Sequence, residues 1–161
     1  MVTQKQVSDL VITRTFDAPI ERVWQAWTDP KQLMLWWGPK DFTAPAIHLD
    51  LRVGGKYHYC MRGPDGKDYW STGTFEEIVP MERLVFTDSF ADEHGNIVSA
   101  AHYGMEADFP LVLKVIVELE RLPGKTRMTL RHVGMPPSES KEMAGQGWNE
   151  SFDKMVNILL V

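Results

Sequence analysis

The sequence lacks the features that mark secreted, membrane-spanning and nucleic-acid-binding proteins. Its single cysteine, Cys60, cannot form an internal disulfide, which suits a reducing compartment. No stretch approaches the ~20 apolar residues that cross a bilayer, and the first residues lack the apolar core of a signal peptide. Lys and Arg number 17 against 22 Asp and Glu, and they form no basic run. We therefore expect a cytoplasmic protein with no membrane span and no nucleic-acid partner.

Motifs for metal, cofactor and nucleophile chemistry are also missing. His94 and His102 stand in a polar loop at a spacing that matches no established ligand pattern. Gly54-Gly55 has no phosphate-loop sequence around it. His132 has no Ser, Cys or Asp that the sequence assigns as its partner, so a histidine bonded to a backbone carbonyl is the simpler interpretation. We predict no catalytic residue, no metal and no cofactor.

What the chain does contain is a large apolar and aromatic complement. Its 161 residues are 43% apolar and include six Trp and nine Met, enough to fill a sizeable core with large and adaptable side chains. There is no repeat and no linker-like stretch. We therefore expect a single domain, residues 1–161.

Periodicity predicts helices that are segregated from a run of strands. Apolar residues recur at helical spacing after Pro19 and again after Asp29-Pro30, and a long last helix follows Pro136-Pro137 with Ser138 as its cap. Alternating residues predict strands at 9–16, 46–53, 56–62, 68–79, 83–90, 111–121 and 126–133. Residues 91–109 lack a period and are predicted to be a long loop. This order is typical of an α+β fold with an antiparallel sheet.

The last helix has one apolar stripe, which it must bury. Trp148, Phe152, Met155 and Leu159 fall on one face at spacings of four, three and four residues. The only large apolar surface available is one face of the sheet, so we expect the helix of about residues 138–160 to lie across it.

Several segments together resemble a known family in order and spacing. They are Ala18-Pro19, Val23-Trp24, Trp27-Thr28-Asp29-Pro30, Trp36-Trp37-Gly38-Pro39, Asp50-Leu51-Arg52-Val53-Gly54-Gly55, Met61-Arg62-Gly63-Pro64-Asp65-Gly66 and Gly147-Trp148-Asn149-Glu150-Ser151-Phe152. The set resembles the SRPBCC (START-like) superfamily, in the branch named for the activator of heat shock protein 90 ATPase homologue. The resemblance implies a helix-grip fold, in which six or seven curved antiparallel strands wrap around the C-terminal helix and leave a cavity. Two short helices would stand between the first and second strands.

The implied cavity and the strand faces together define candidate ligand-binding residues. Tyr57, Tyr59 and Met61 share a strand face, and His132 shares another with Met128 and Leu130. The full predicted set is Trp36, Tyr57, Tyr59, Met61, Trp70, Phe86, Val115, Val117, Met128, Leu130, His132, Trp148 and Phe152. An ordinary packed core is the alternative interpretation of each. Cys60 is predicted to be a packed thiol on the face opposite the tyrosines, and Asp50 with Arg52 a structural ion pair.

Three functions follow from the residues and the resemblance. The first is a non-catalytic binding protein that holds a small hydrophobic or aromatic molecule between sheet and helix, with a role in a stress response. The second is a co-chaperone that contacts heat shock protein 90 through its surface. The third is an enzyme of the aromatase/cyclase type that would use His132 or a cavity tyrosine. Fold alone does not choose among them.

Overall fold

A computed structural model describes residues 9–105, 109–135 and 139–160. It contains seven strands, three α-helices and a short 3-10 helix over these residues. The strands are β1 (Leu10–Phe16), β2 (Thr43–Leu49), β3 (Lys56–Arg62), β4 (Asp68–Val79), β5 (Arg83–Ala91), β6 (Leu113–Leu122) and β7 (Lys125–Val133). The helices are α1 (Ile20–Thr28), α2 (Pro30–Trp36) and α3 (Glu139–Leu159), and the 3-10 helix is Ala100–Tyr103.

The strands form one antiparallel sheet in the order β1-β7-β6-β5-β4-β3-β2. Strands β2 to β6 each pair with the next strand in the chain, and β1 forms the edge beside β7. The apolar face of the sheet packs on α3 and on the two short helices between β1 and β2. The predicted helix-grip fold is confirmed.

The short helices begin where the sequence indicates. Pro19 precedes the first turn of α1, and the Asp29 carboxylate accepts a hydrogen bond of 3.0 Å from the Lys31 amide at the start of α2. Buried Trp27 and Leu33 turn inward from these two helices. The predicted cap at Ser138 and the Pro136-Pro137 break lie outside the described residues.

β2 and β6 have boundaries that differ from the prediction, and β2 begins earlier, at Thr43 rather than at residue 46. β2 ends at Leu49 rather than Val53, because the Arg52 amide bonds the Asp50 carbonyl and the chain turns back there. Leu51 and Val53 are consequently exposed and have no place on the apolar face. β6 begins at Leu113, and Leu111 is 53% exposed. In both places alternation continues along the sequence beyond the last ladder hydrogen bond, which periodicity cannot detect.

The predicted loop at 91–109 has local structure in its described part. β5 continues to Ala91, which forms a bridge with Ile97, and the 3-10 helix follows. The Tyr103 hydroxyl donates to the Ala91 carbonyl and accepts from the Trp70 amide at 3.1 Å. This tyrosine fastens the connection between β5 and β6 to the sheet.

A candidate ligand site at the polar end of the sheet–helix interior

The interior between sheet and α3 has two chemically different ends. Beneath the C-terminal half of α3, Phe152, Met155 and Leu159 pack on apolar side chains, and we call this the closed end. Beneath Trp148, one turn earlier on α3, the interior contains polar groups among aromatic rings. We call this the polar end, and its members are Trp37, Tyr57, Tyr59, Asp88, His132 and Trp148.

Trp148 connects α3 to the sheet at the polar end. Its indole Nε1 donates to His132 Nδ1 at 3.2 Å. An indole N–H can only donate, so Nδ1 must present a lone pair and the ring proton lies on Nε2. This contact therefore fixes the tautomer of a histidine that is only 5% exposed.

Asp88 stands on the other side of that histidine. His132 Nε2 lies 3.2 Å from Asp88 Oδ2, but the approach is poorly aligned and Nε2 makes no hydrogen bond with a described residue. The Asp88 side chain is 24% exposed, whereas that of His132 is 6% exposed. The carboxylate thus forms the more accessible edge of this polar group.

Tyr57 holds the second oxygen of the same carboxylate. Its hydroxyl lies 3.1 Å from Asp88 Oδ1 and 2.9 Å from the Thr87 carbonyl oxygen, and its one hydrogen serves these two acceptors. The ring reaches them by crossing Gly73, where a Cβ would collide with Tyr57 and with the Thr87 carbonyl. Burial raises the pKa of Tyr57 well above its usual value, and the Asp88 charge adds to the effect.

Tyr59 lies beside Tyr57 and has a different environment. Their rings are 4.4 Å apart, and Trp37 contacts Tyr59 edge-on at 5.0 Å. Tyr59 is only 3% exposed, yet none of the described residues gives its hydroxyl a hydrogen bond. Burial alone raises its pKa above the usual range. A hydroxyl without a hydrogen bond on so buried a residue has the capacity to bind a partner.

The predicted ligand-binding residues divide into three groups in the structure. Tyr57, Tyr59, His132 and Trp148 meet at the polar end, with Met61 at its margin and Phe86 and Val115 adjoining it. A second group is packed deeper in the core, and it contains Trp36, Val117, Met128, Leu130 and Phe152. In this group the Trp36 indole donates to the Ala26 carbonyl at 2.8 Å, as in an ordinary core.

Trp70 alone forms the third group, because the structure places it on the outer face of the sheet and not in the predicted cavity. It pairs with Cys60 across β3 and β4, so it faces away from Tyr57 and Tyr59. Its ring stacks on His58 with the centroids 4.4 Å apart. The sequence showed an aromatic on the next strand, but only the register of β3 with β4 assigned it to the outer face.

The partners of His132 differ from the prediction as well. The sequence favoured a backbone carbonyl and identified no aspartate partner, whereas the structure places the ring between Trp148 and Asp88. Asp88 and Trp37 were both missing from the predicted set. A signal for Asp88 exists, because Leu84, Phe86 and Asp88 alternate along β5 and a carboxylate so placed must face the interior.

The remaining local predictions concern groups away from the polar end. Cys60 is buried on the face opposite the tyrosines, as predicted, and burial raises the pKa of its thiol to about 11. Arg52 and Asp50 form the expected ion pair at 2.7 Å. Over residues 9–105, 109–135 and 139–160, no three His, Cys, Asp or Glu side chains converge as metal ligands would. No helix in these ranges combines the length and apolarity of a membrane span.

The described residues also enclose two surface pockets. One of about 490 Å³ is lined by residues of β5, β6 and β7, among them Arg83, Glu118 and Arg127. The other, of about 330 Å³, lies beside the β6–β7 turn and Ile20. Neither is lined by a predicted ligand-binding residue. Neither lining includes a member of the polar end.

Comparison with known proteins identifies the family. Residues 17–159 match the family described as "Activator of Hsp90 ATPase homolog 1-like protein". The chain belongs to this family. The match includes every strand from β2 to β7, all three α-helices and all six members of the polar end.

Solved structures of family-like proteins share the fold along nearly the whole chain. A protein of Arthrobacter aurescens is 34% identical, with 98% of this chain and 89% of that chain covered and a TM-score of 0.75. A protein of Mycobacterium smegmatis is 31% identical, with 92% and 86% covered and a TM-score of 0.70. A protein of Chromobacterium violaceum is 26% identical, with 94% and 96% covered and a TM-score of 0.78. Comparison with the curated proteins gave no match.

Proposed function

We propose that this member of the Activator of Hsp90 ATPase homolog 1-like family binds a small hydrophobic or aromatic molecule at the polar end. The observation that carries the proposal is the Tyr59 hydroxyl, which has no hydrogen-bond partner among the described residues although the residue is only 3% exposed. Polar groups in the interior of native proteins are nearly always paired, and an exception calls for an explanation such as a function or a bound partner. A ligand that hydrogen-bonds Tyr59 would supply that partner.

The surroundings of Tyr59 suit an aromatic or apolar body. Trp37 contacts both Tyr59 and Trp148 edge-on, at 5.0 and 5.5 Å, so three rings adjoin one another. Flat rings of this kind give a small ligand a large contact area with little loss of side-chain entropy. The buried Nε2 of His132 has no hydrogen bond with a described residue and lies 3.2 Å from Asp88 Oδ2, and we assign it as a second group that orients the ligand.

Entry would require Trp148 and its part of α3 to move, because the rings of Trp37, Tyr57 and Tyr59 are no more than 8% exposed. From residue 141 to residue 150, no side chain of α3 is fully buried, whereas Ser151, Phe152, Met155 and Leu159 all are. The same segment contains Gly145 and Gly147, which weaken a helix interior by about 1 kcal/mol each relative to alanine. The part of α3 above the polar end is therefore the part that opens most readily.

A matched pair of tryptophan variants tests the proposal. N-phenyl-1-naphthylamine, a neutral apolar fluorophore, is titrated into the wild type, Trp148→Phe and Trp70→Phe. We expect saturable binding at one site, a loss of affinity of about tenfold in Trp148→Phe, and no change in Trp70→Phe, whose ring lies on the outer face. Failure of the probe to saturate, or an equal loss in both variants, would overturn the proposal.

The other two functions have less support from the geometry. A cyclase-type reaction at His132 needs a free basic nitrogen, but Nδ1 already accepts from Trp148 and Nε2 bears the proton. A co-chaperone role would use the surface, and it predicts binding to heat shock protein 90 that persists in Trp148→Phe. Such persistence together with absent probe binding would favour the co-chaperone.

A further inference from the structure

The polar end contains a carboxylate with no cationic side chain beside it. The one ionic contact of Asp88 with a described residue is the 3.2 Å approach of His132 Nε2. The other aspartates and glutamates that form ion pairs have Arg or Lys partners, except Glu93, which lies beside His94 on the surface. Asp88 is therefore exceptional in being both interior-facing and without a full positive charge next to it.

The hydrogen bond from Trp148 bears directly on this charge. Because Nδ1 of His132 accepts from the indole, the ring carries a single proton and is neutral in this arrangement. Asp88 and His132 then sum to one negative charge rather than to a neutral ion pair. Tyr57 donates to the same carboxylate but brings no charge.

The carboxylate retains capacity for a further donor. Two carboxylate oxygens offer about four acceptor positions, and Tyr57 and His132 approach one on each oxygen. With 24% of its side chain exposed, Asp88 has an open side that His132 lacks. Tyr57 and His132, which both approach this carboxylate, contact the rings of Tyr59 and Trp148 in turn, and the electron-rich faces of such rings attract cations.

We infer that the ligand of the polar end carries a protonated amine on its aromatic or apolar body. The ammonium group donates to Asp88, and the body lies among Trp37, Tyr59 and Trp148. Inside a poorly solvated site a hydrogen bond between two charged groups contributes more than a neutral one, so the amine should be preferred over isosteric alcohols. A carboxylate ligand should be disfavoured by repulsion from Asp88. This inference rests on the proposed function, since it concerns the ligand of that same site.

The test compares three ligands of similar shape by displacement of N-phenyl-1-naphthylamine. They are 2-phenylethylamine, 2-phenylethanol and 3-phenylpropionate, applied at pH 7. We expect the amine to bind about tenfold more tightly than the alcohol, which corresponds to about 1.4 kcal/mol, and the propionate to bind most weakly. In Asp88→Asn the amine should lose this advantage while the alcohol keeps its affinity.

A surface variant with the same loss of charge is the control. Asp50→Asn removes an exposed carboxylate paired with Arg52 at the turn before β3, and it should leave the order of the three ligands unchanged. Equal affinity of amine and alcohol in the wild type, or the same preference in Asp88→Asn, would overturn the inference while leaving the proposed function intact. Absence of probe binding to the wild type would instead remove the proposed function. A thermal melt of each variant verifies that it is folded.

Discussion

The closed end and the polar end lie under one helix, yet they are stabilised by different interactions. At the closed end, Phe152 and Met155 are 0% exposed, and Phe152 contacts the rings of Phe16, Trp27 and Trp36. At the polar end, Trp148 is half-buried and reaches the sheet through a hydrogen bond to His132. The first arrangement stabilises the fold, whereas the second leaves polar groups short of partners.

Polar contacts also hold the C-terminal half of α3 against the rest of the protein. Arg14 pairs with Asp153 at 3.0 Å, and Lys154 donates to the Phe42 carbonyl at 3.1 Å. Burial lowers the pKa of this lysine, consistent with its position against the loop before β2. The two halves of this amphipathic helix therefore serve different purposes. Its second half anchors the helix in the core, and its first half contributes Trp148 to the polar end.

The largest expected effect is at the closed end. Phe152→Ala should lower the free energy of unfolding by about 3–5 kcal/mol, because it leaves a cavity among rings that cannot collapse into it. Trp148→Phe should lower it by no more than about 1–3 kcal/mol, mainly through the unpaired Nδ1 of His132. Urea denaturation of both variants measures the difference. Equal losses would mean that the two ends are packed alike.

The two tyrosines of the polar end provide a second contrast with a smaller effect. Tyr57→Phe should cost about 1–3 kcal/mol, because the Asp88 carboxylate loses its hydrogen-bond donor. Tyr59→Phe removes a hydroxyl that has no partner among the described residues, so stability should stay level or rise. The same Tyr59→Phe change should weaken ligand binding. Urea denaturation measures the stability of the two variants, and probe titration measures their ligand binding. A large destabilisation by Tyr59→Phe would show that the Tyr59 hydroxyl already has a hydrogen-bond partner.

Alkaline pH should weaken the polar end through these same tyrosines. Burial raises the pKa of both above 10, near which tyrosines of the unfolded chain ionise. The contribution that these two raised pKa values make to the free energy of unfolding is fully present below about pH 10. Above it the unfolded chain releases protons that the folded protein keeps, so stability falls by up to about 1.4 kcal/mol per pH unit for each tyrosine. Unfolding measured from pH 9 to 11 should show this decline, and Tyr59→Phe should make it shallower; an unchanged slope would contradict the assignment.

The smallest expected effect is a gain in stability. At Gly145 a Cβ would lie 3.3 Å from Leu10 Cδ1, the end of a flexible side chain that can yield. Gly145→Ala should therefore stabilise α3 by about 0.5–1 kcal/mol, the usual preference for alanine in a helix interior. If the first half of α3 must move to admit a ligand, this variant should also bind the fluorescent probe more slowly. Stopped-flow mixing measures the rate, and an unchanged rate with raised stability would mean that entry does not use this segment.

Sequence periodicity was a good guide to which residues turn inward. The stripe of α3 predicted Phe152, Met155 and Leu159 in the core, and alternation placed Tyr57 and Tyr59 on one face and Cys60 on the other. It was less reliable at Leu51, Val53 and Leu111, where the alternating pattern extends beyond the residues that form the strand. The resemblance to the family supplied the helix-grip arrangement, which the comparisons confirm.

The sequence by itself determined the elements, most of their inward-facing residues and the family, because these depend on spacings of a few residues and on an ordered set of motifs. Only the tertiary structure decided that Trp70 faces outward, that Asp88 and Trp148 meet His132, and that Tyr59 is left without a partner while Tyr57 has two. Each of these depends on the register between strands and on where α3 crosses the sheet. Such distances join residues far apart in the chain, and no local pattern encodes them.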